Sequence, residues 1–202
     1  MKSERKYIKY GKLLSGLIHN LNTPLMGLSG RLELLQMKFE DEKSFTQINT
    51  QLDKITTMLS TAAYLLDKDQ TDRKLDFDLK TFLDNYFSFI YTDMRFKHQI
   101  EKELSFESCN VDTNPSDLLN CLHAIIDYLL CFIDKDTTLI VNNTCVENIP
   151  MINICLQLKS ELASDINICQ FIEDSPYHES LKKFEISHEM GFDKISISIK
   201  GF

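Results

Sequence analysis

The stretch LIHNLNTPL, residues 17–25, sets an ionisable ring at position 19 and an imino acid at position 24 inside a run with helical apolar spacing. Pro24 removes one backbone donor and frees the carbonyl of Asn20, so a helix through this stretch is expected to bend there. Around it, Leu14, Ile18, Leu21, Leu25, Leu28, Leu32 and Leu35 follow steps of 4, 3, 4, 3, 4 and 3. The charged segment KFEDEKS, residues 38–44, interrupts the pattern. Phe45, Ile48, Leu52, Ile55, Leu59, Ala62 and Leu66 then resume it in steps of 3, 4, 3, 4, 3 and 4. Two such seams predict a helical hairpin with coiled-coil-like packing. Ser44 is suited to cap its second helix. A lone hairpin buries little, so two chains are expected to pair as a symmetric homodimer whose hairpins form a four-helix bundle.

Composition narrows the possibilities. The chain has 202 residues, of which 43% are apolar and 26% charged, enough for one large domain or two small ones with a real core. The net charge of -8 lacks the basic footprint of a nucleic-acid binder. No apolar run approaches the ~20 residues that span a bilayer. The start MKSERKYIKYGK lacks the apolar core of a signal peptide, so a cytoplasmic location is expected, with no nucleic acid or membrane as partner. The six cysteines, Cys109, Cys121, Cys131, Cys145, Cys155 and Cys169, are widely spaced and form no C-x-x-C pair. They read as reduced, buried thiols rather than disulfides or metal ligands. His98, His123, His178 and His188 show no metal-ligand spacing, and no metal site is expected.

Beyond residue 72 the character changes. DFDLKTFLDNYFSFIYTDMRF, residues 76–96, is amphipathic, with Leu79, Phe82, Leu83, Phe87, Ile90 and Met94 at helical spacing. SDLLNCLHAIIDYLLCFI, residues 116–133, reads as a helix apolar nearly all round and therefore buried, with Pro115 at its start. TTLIVNNTC (137–145), PMINICLQLKS (150–160), EISHEM (185–190) and DKISISIKG (193–201) read as strands. A short helix is predicted around SPYHESLKKF, residues 175–184. Helices followed by hairpin-like strands predict an α/β sandwich, one antiparallel or mixed sheet covered by helices.

His19 falls off the heptad seam, so its ring is expected to face solvent, with Thr23 one turn further on the same face. A neutral imidazole has a lone pair able to attack phosphorus. In this setting HNLNTPL resembles the phosphoacceptor motif of bacterial sensor histidine kinases, commonly H-[ED]-x-x-[TN]-P-[LI]. His19, Thr23, Pro24 and Leu25 match it. The hairpin resembles that family's dimerisation and histidine phosphotransfer domain, expected here over residues 1–72.

Residues 73–202 resemble the family's ATP-binding domain in degenerate form. In the family a helix carries asparagines that reach the Mg-bound phosphates. NPSDLLNCLHAIIDYLL (114–130) is similar to that helix, but Ala124 and Tyr128 stand at the asparagine positions. The family next uses a D-x-G-x-G turn and a glycine-rich lid. This chain has six glycines, Gly11, Gly16, Gly27, Gly30, Gly191 and Gly201, and none lies between Gly30 and Gly191. Phosphate loops need close backbone approach and φ > 0, which glycine supplies. Asn20 replaces the acid that follows the histidine. Its amide can accept a hydrogen bond and help fix the ring's tautomer but cannot take a proton.

The resemblance therefore implies a histidine phosphotransferase of a two-component phosphorelay, closest in design to dimeric phosphotransferases with a degenerate ATPase-like domain. His19 would be the phosphoacceptor, with Asn20 and Thr23 beside it. Met26, Gly27 and Gly30, seven, eight and eleven residues further on, would form the face that meets a response-regulator receiver domain. No ATP and no cofactor of its own is expected; the receiver brings its own Mg²⁺. The alternative is a non-catalytic pseudo-histidine-kinase that binds or sequesters a regulator or kinase.

Overall fold

The computed structural model describes residues 17, 20–21, 23–28, 30–31, 34, 42–69, 73–133, 136–146, 149–159 and 167–202. The described residues between 17 and 34 are helical, and they lie beside helix α1, Glu42–Asp69. The Cβ position of Gly27 is 3.8 Å from the Gln51 side chain. Leu17 shares a small cleft with Thr57, Met58 and Thr61 of α1. Contacts that fall in sequence on one side while rising on the other make this an antiparallel hairpin. Leu14, Ile18, Leu32 and Leu35 of the first seam lie outside the described residues.

The second seam divides in two. Leu52, Leu59 and Leu66 are exposed, as are Leu25 and Leu34 on the first helix. Ala62 is buried, and so is Leu65, which is one residue off the seam and joins the main hydrophobic core. The end of α1 is thus built into the rest of the chain. Asp69, itself buried, accepts a hydrogen bond from the Ser116 hydroxyl (3.1 Å) at the start of a later helix. The described residues form no four-helix bundle.

After α1 come strand β1 (Leu75–Asp78) and helix α2 (Leu79–Ile90). Asp78 ends the strand and caps the helix: its Oδ2 accepts from Thr81 N (2.9 Å) and Thr81 Oγ1 (2.7 Å). This cap is why the helix begins at residue 79 rather than at 76. Leu79, Phe82, Leu83, Tyr86, Phe87 and Ile90 form its buried stripe, as the spacing predicts. Met94 does not continue that stripe. The chain turns at 91–93 into a separate short helix, α3 (Met94–His98), capped by Asp93, and Met94 is exposed. Strands β2 (Ile100–Ser105) and β3 (Asn110–Thr113) follow, then α4 (Pro115–Leu129) with a 3₁₀ turn at Leu130–Phe132. Asn114 caps α4 by accepting from Ser116 N (2.9 Å) and Asp117 N (3.3 Å), and Pro115 takes its first position.

The remaining elements are β4 (Thr137–Val146), β5 (Ile149–Gln157), the short helices α5 (Ile168–Asp174) and α6 (His178–Leu181), β6 (Glu185–Met190) and β7 (Lys194–Lys200). The sheet order is β2-β4-β5-β7-β6, and β1 pairs separately with β3. β2 runs parallel to β4; the other neighbours are antiparallel. The register aligns apolar rows across three strands: Leu139–Leu156–Ile195 and Val141–Ile154–Ile197. All six are buried beneath the helices, and alternate residues carry polar side chains on the other face, where Ser198 Oγ donates to Asn153 Oδ1 (2.9 Å). The mixed α/β sandwich predicted from sequence is therefore present.

Two expectations need correction. The three short strands β1, β2 and β3 and helix α5 were not among the predicted elements. The cysteines are all free, but only Cys121 is buried; Cys109 and Cys155 are half-buried, and Cys131, Cys145 and Cys169 are exposed.

Within the core, Tyr86 is buried and its hydroxyl has no hydrogen-bond partner among the described residues. Burial pushes its pKa well above the ordinary tyrosine value. Tyr86→Phe removes that unsatisfied group without changing shape, so it is expected to leave stability unchanged or raise it by up to ~1 kcal/mol. Phe82→Ala should instead cost about 3–5 kcal/mol through the cavity it leaves. Urea unfolding of both variants checks the pair, and a clear loss in Tyr86→Phe would show that the hydroxyl has a partner in solution.

Candidate functional site

His19 lies outside the described residues; Asn20, Thr23, Met26, Gly27 and Gly30 lie within them. Thr23 is exposed and Pro24 buried. Met26 is 75% exposed. Gly27 is also exposed, with its Cβ position at ordinary contact distance from Gln51, while no described residue lies within 4 Å of the Cβ position of Gly30. Of the two glycines, Gly30 is the one that leaves room for close approach from outside.

Asn20 is 5% exposed, and both ends of its amide are taken. Nδ2 donates to the carbonyl of Tyr91 (3.0 Å), and Oδ1 accepts from the Lys97 ammonium (2.9 Å). Both partners come from the corner between α2 and α3, 71 and 77 residues away in sequence. The sequence marks the Asn20 oxygen as an acceptor, and among the described residues its donor is Lys97.

The corner is rigid for visible reasons. Asp93 Oδ1 accepts from Arg95 N (2.8 Å), and the Arg95 guanidinium bonds both Asp93 Oδ2 (2.9 Å) and Asp127 Oδ1 of α4 (2.6 Å). Lys102 of β2 reaches up from below and donates to the carbonyls of Phe96 (2.7 Å) and Lys97 (3.0 Å). Its ammonium sits over the Tyr91 and Phe96 rings, at 5.1 and 5.3 Å from their centroids. Burial lowers the Lys102 pKa. No spacing in the sequence marks Tyr91, Lys97 or Lys102; their roles follow from the corner's shape.

The second part of the site is the α4 face that includes Ala124 and Tyr128. Ala124 is buried. The Tyr128 ring stacks on Phe171 of α5 at 4.0 Å between centroids and 19° between planes, and meets Phe132 edge-on at 4.9 Å. Earlier on the same helix, Asp117 accepts from Ser180 Oγ (2.9 Å) and Lys183 Nζ (2.6 Å), and His123 meets Tyr177 edge-on at 6.1 Å. Residues 171–183 therefore cover α4 from its first turn to its last. Burial, then the Asp127 charge, pushes the Tyr177 hydroxyl up to about 12. Among the described residues no group of three or more His, Cys, Asp or Glu side chains is arranged to hold a metal ion. No described helix is long and apolar enough to cross a membrane.

The fold is that of sensor histidine kinase domains. The histidine kinase domain of the blue-light activated kinase EL346 from Erythrobacter litoralis superposes on 86% of this chain and 93% of its own, with TM-score 0.54 and 10% identity. The nucleotide-free catalytic domain of histidine kinase ThkA covers 63% of this chain and 95% of its own, with TM-score 0.52 and 9% identity. Histidine kinase AdeS of Acinetobacter baumannii gives a weaker superposition, TM-score 0.48, over 90% of this chain and 96% of its own at 19% identity. No protein-family model matches the sequence, and no characterised protein matches it by sequence.

The corner carries a pH signature. Burial pushes the Asp93 carboxyl up, but its bonds to the Arg95 side chain and backbone more than offset this and hold it below the usual aspartate value. Its contribution to stability is thus complete above the unfolded-state value of about 3.9 and is lost as pH falls through the lower folded-state value. Asp93→Asn is expected to be less stable than wild type at neutral pH, with the gap closing in acid. Urea unfolding across a pH series measures this, and a gap that stays constant would assign the acid sensitivity to other groups.

Proposed function

We propose that this chain is a histidine phosphotransferase of a two-component phosphorelay, relaying a phosphoryl group between receiver aspartates through His19 without using ATP. The observation that carries the reading is the Tyr128–Phe171 stack. It stands where the resembling kinases hold an asparagine for Mg-bound phosphate, in a segment without a single glycine from residue 31 to 190. A stacked aromatic ring offers no ligand to a metal, while the motif residues His19, Thr23, Pro24 and Leu25 are retained.

In the proposed step the neutral ring of His19 attacks the phosphorus of a receiver's phospho-aspartate. The bond from phosphorus to the aspartyl oxygen breaks, its electron pair returns to the carboxylate, and the ring's other nitrogen, which carries the proton, releases it to solvent. Reversal on a second receiver completes the relay. Such a reaction depends mainly on alignment and charge neutralisation, which the receiver's own Mg²⁺ supplies. Met26 is exposed and the Cβ position of Gly30 is open, which gives the receiver a stretch to approach.

The exposed Leu52, Leu59 and Leu66, seven residues apart on α1, and the exposed Leu25 of the first seam support a homodimer through the hairpin, since a row of leucines left in water is a row to be covered. Leu59→Asp would place a charge in that seam and should give monomers by light scattering. A wild-type protein that is itself monomeric would remove the bundle from the proposal.

Incubation of the chain with a phosphorylated receiver and Mg²⁺, without nucleotide, should place acid-labile phosphate on it. His19→Ala should abolish the transfer, and wild-type transfer should slow in acid as the ring protonates. Calorimetry should find no saturable binding of Mg-ATP. If His19→Ala still relays, or another histidine takes the phosphate, the acceptor is elsewhere; if His19→Ala loses nothing in cells, the chain acts by binding its regulator alone.

A further inference from the structure

Position 20 is the one place in the motif where this chain carries a different chemical group, an amide in place of an acid. The structure gives that amide a use. Tyr91 caps the C-terminus of α2, where the last carbonyls of a helix lack partners within it. One of these, the Tyr91 carbonyl, is met by Asn20 Nδ2, and the Lys97 ammonium is met by Asn20 Oδ1. The socket thus presents one acceptor and one charged donor side by side. It is held by the Asp93–Arg95–Asp127 bonds and by Lys102 from beneath, all of them within the second half of the chain.

An amide answers both groups at once. A carboxylate would answer Lys97 but would set an oxygen lone pair against the Tyr91 carbonyl oxygen at a position where the side chain is only 5% exposed. Alanine would answer neither and would leave the half-buried carbonyl and ammonium without this partner. The first helix carries the amide; the α2–α3 corner carries the socket. The residue covalently preceding Asn20 is His19.

We infer that Asn20, Lys97 and the Tyr91 carbonyl form a latch that fixes the second half of the chain against the helix bearing His19. Position 20 holds an amide because this socket requires a donor and an acceptor together. Asn20 is then a positioning residue: it sets where the corner stands beside the acceptor, and it takes no part in moving protons or phosphate. The functional meaning of the latch rests on the assignment of His19, but its existence does not. The chain keeps a permanent arrangement of its two halves, as suits a relay that presents one surface to successive receivers.

The test uses the full chain with Asn20→Asp, Asn20→Ala, Lys97→Met and the Asn20→Ala/Lys97→Met double variant. Hydrogen exchange by mass spectrometry reads peptides covering residues 17–34 and 91–98, with β4–β7 as the internal reference. Each single variant should speed exchange in those two regions by about tenfold, the scale of one charge-assisted hydrogen bond, and leave the sheet unchanged. The double variant should be no faster than Asn20→Ala, because the two side chains act through one contact. Unchanged exchange in Asn20→Asp, or singles whose effects multiply in the double, would overturn the latch. Should Asn20→Ala lose its fold, Lys97→Met decides, since unchanged exchange there overturns the latch equally. Transfer from a phosphorylated receiver is measured in parallel and should slow in the latch variants while receiver binding holds. If His19→Ala relays normally, the acceptor assignment fails and the exchange data still judge the latch by themselves.

Discussion

The structure turns on the need to cover α4 on every side. Its buried residues, Leu118, Leu119, Cys121, Leu122, Ala124, Ile125, Ile126 and Leu129, are distributed around the helix rather than along one stripe. Such a helix is stable only with partners all round it. The sheet shares one hydrophobic core with it, through the buried rows that include Leu139 and Val141. The end of α1 supplies another, with Leu65 in the core and Asp69 on Ser116 at the helix's first turn. The 171–183 segment supplies the last, through Phe171, Tyr177, Ser180 and Lys183. Sheet, hairpin and short helices are thus held in place by one shared neighbour.

This covering bears on function. In a domain that takes up a nucleotide, the corresponding helix has to leave part of its surface to the ligand. Here Tyr128 on that helix is packed against the chain's own Phe171 and Phe132 rings. On the proposed reading the second half of the chain no longer feeds phosphate to His19; it stands beside the first helix, joined to it through Asn20. Two of the departures from the kinase pattern, Tyr128 and Asn20, then become two contacts that consolidate one arrangement.

Polar groups do the joining where the apolar pattern ends. Asp78, Asp93, Asn114 and Asn167 each cap a helix with a side-chain oxygen. Asn143 is buried in the sheet and bonds both the N–H and the carbonyl of Glu107 at 2.8 Å, tying the loop before β3 to β4. Asn20 does the same between the hairpin and the α2–α3 corner. An amide serves in each buried case because it can donate and accept together, and a buried group with one half unmet costs more than it gives.

The sequence by itself determined the elements whose side chains repeat with a clear period. The heptad steps marked the hairpin, the stripe from Leu79 to Ile90 marked α2, and alternation marked β4, β5, β6 and β7. It also carried the motif from His19 to Leu25 and the missing glycines. Strands β1, β2 and β3 were illegible because they are four to six residues long and mix acids with their apolar positions, so that LDFD continued the pattern of the helix that follows it. The tertiary structure alone decided that Leu65 rather than Leu66 enters the core, that Tyr128 meets Phe171, and that Asn20 meets Lys97 and Tyr91. Those contacts join residues some 40 to 80 positions apart, and local periodicity reports only which face a residue occupies, never what is brought against it.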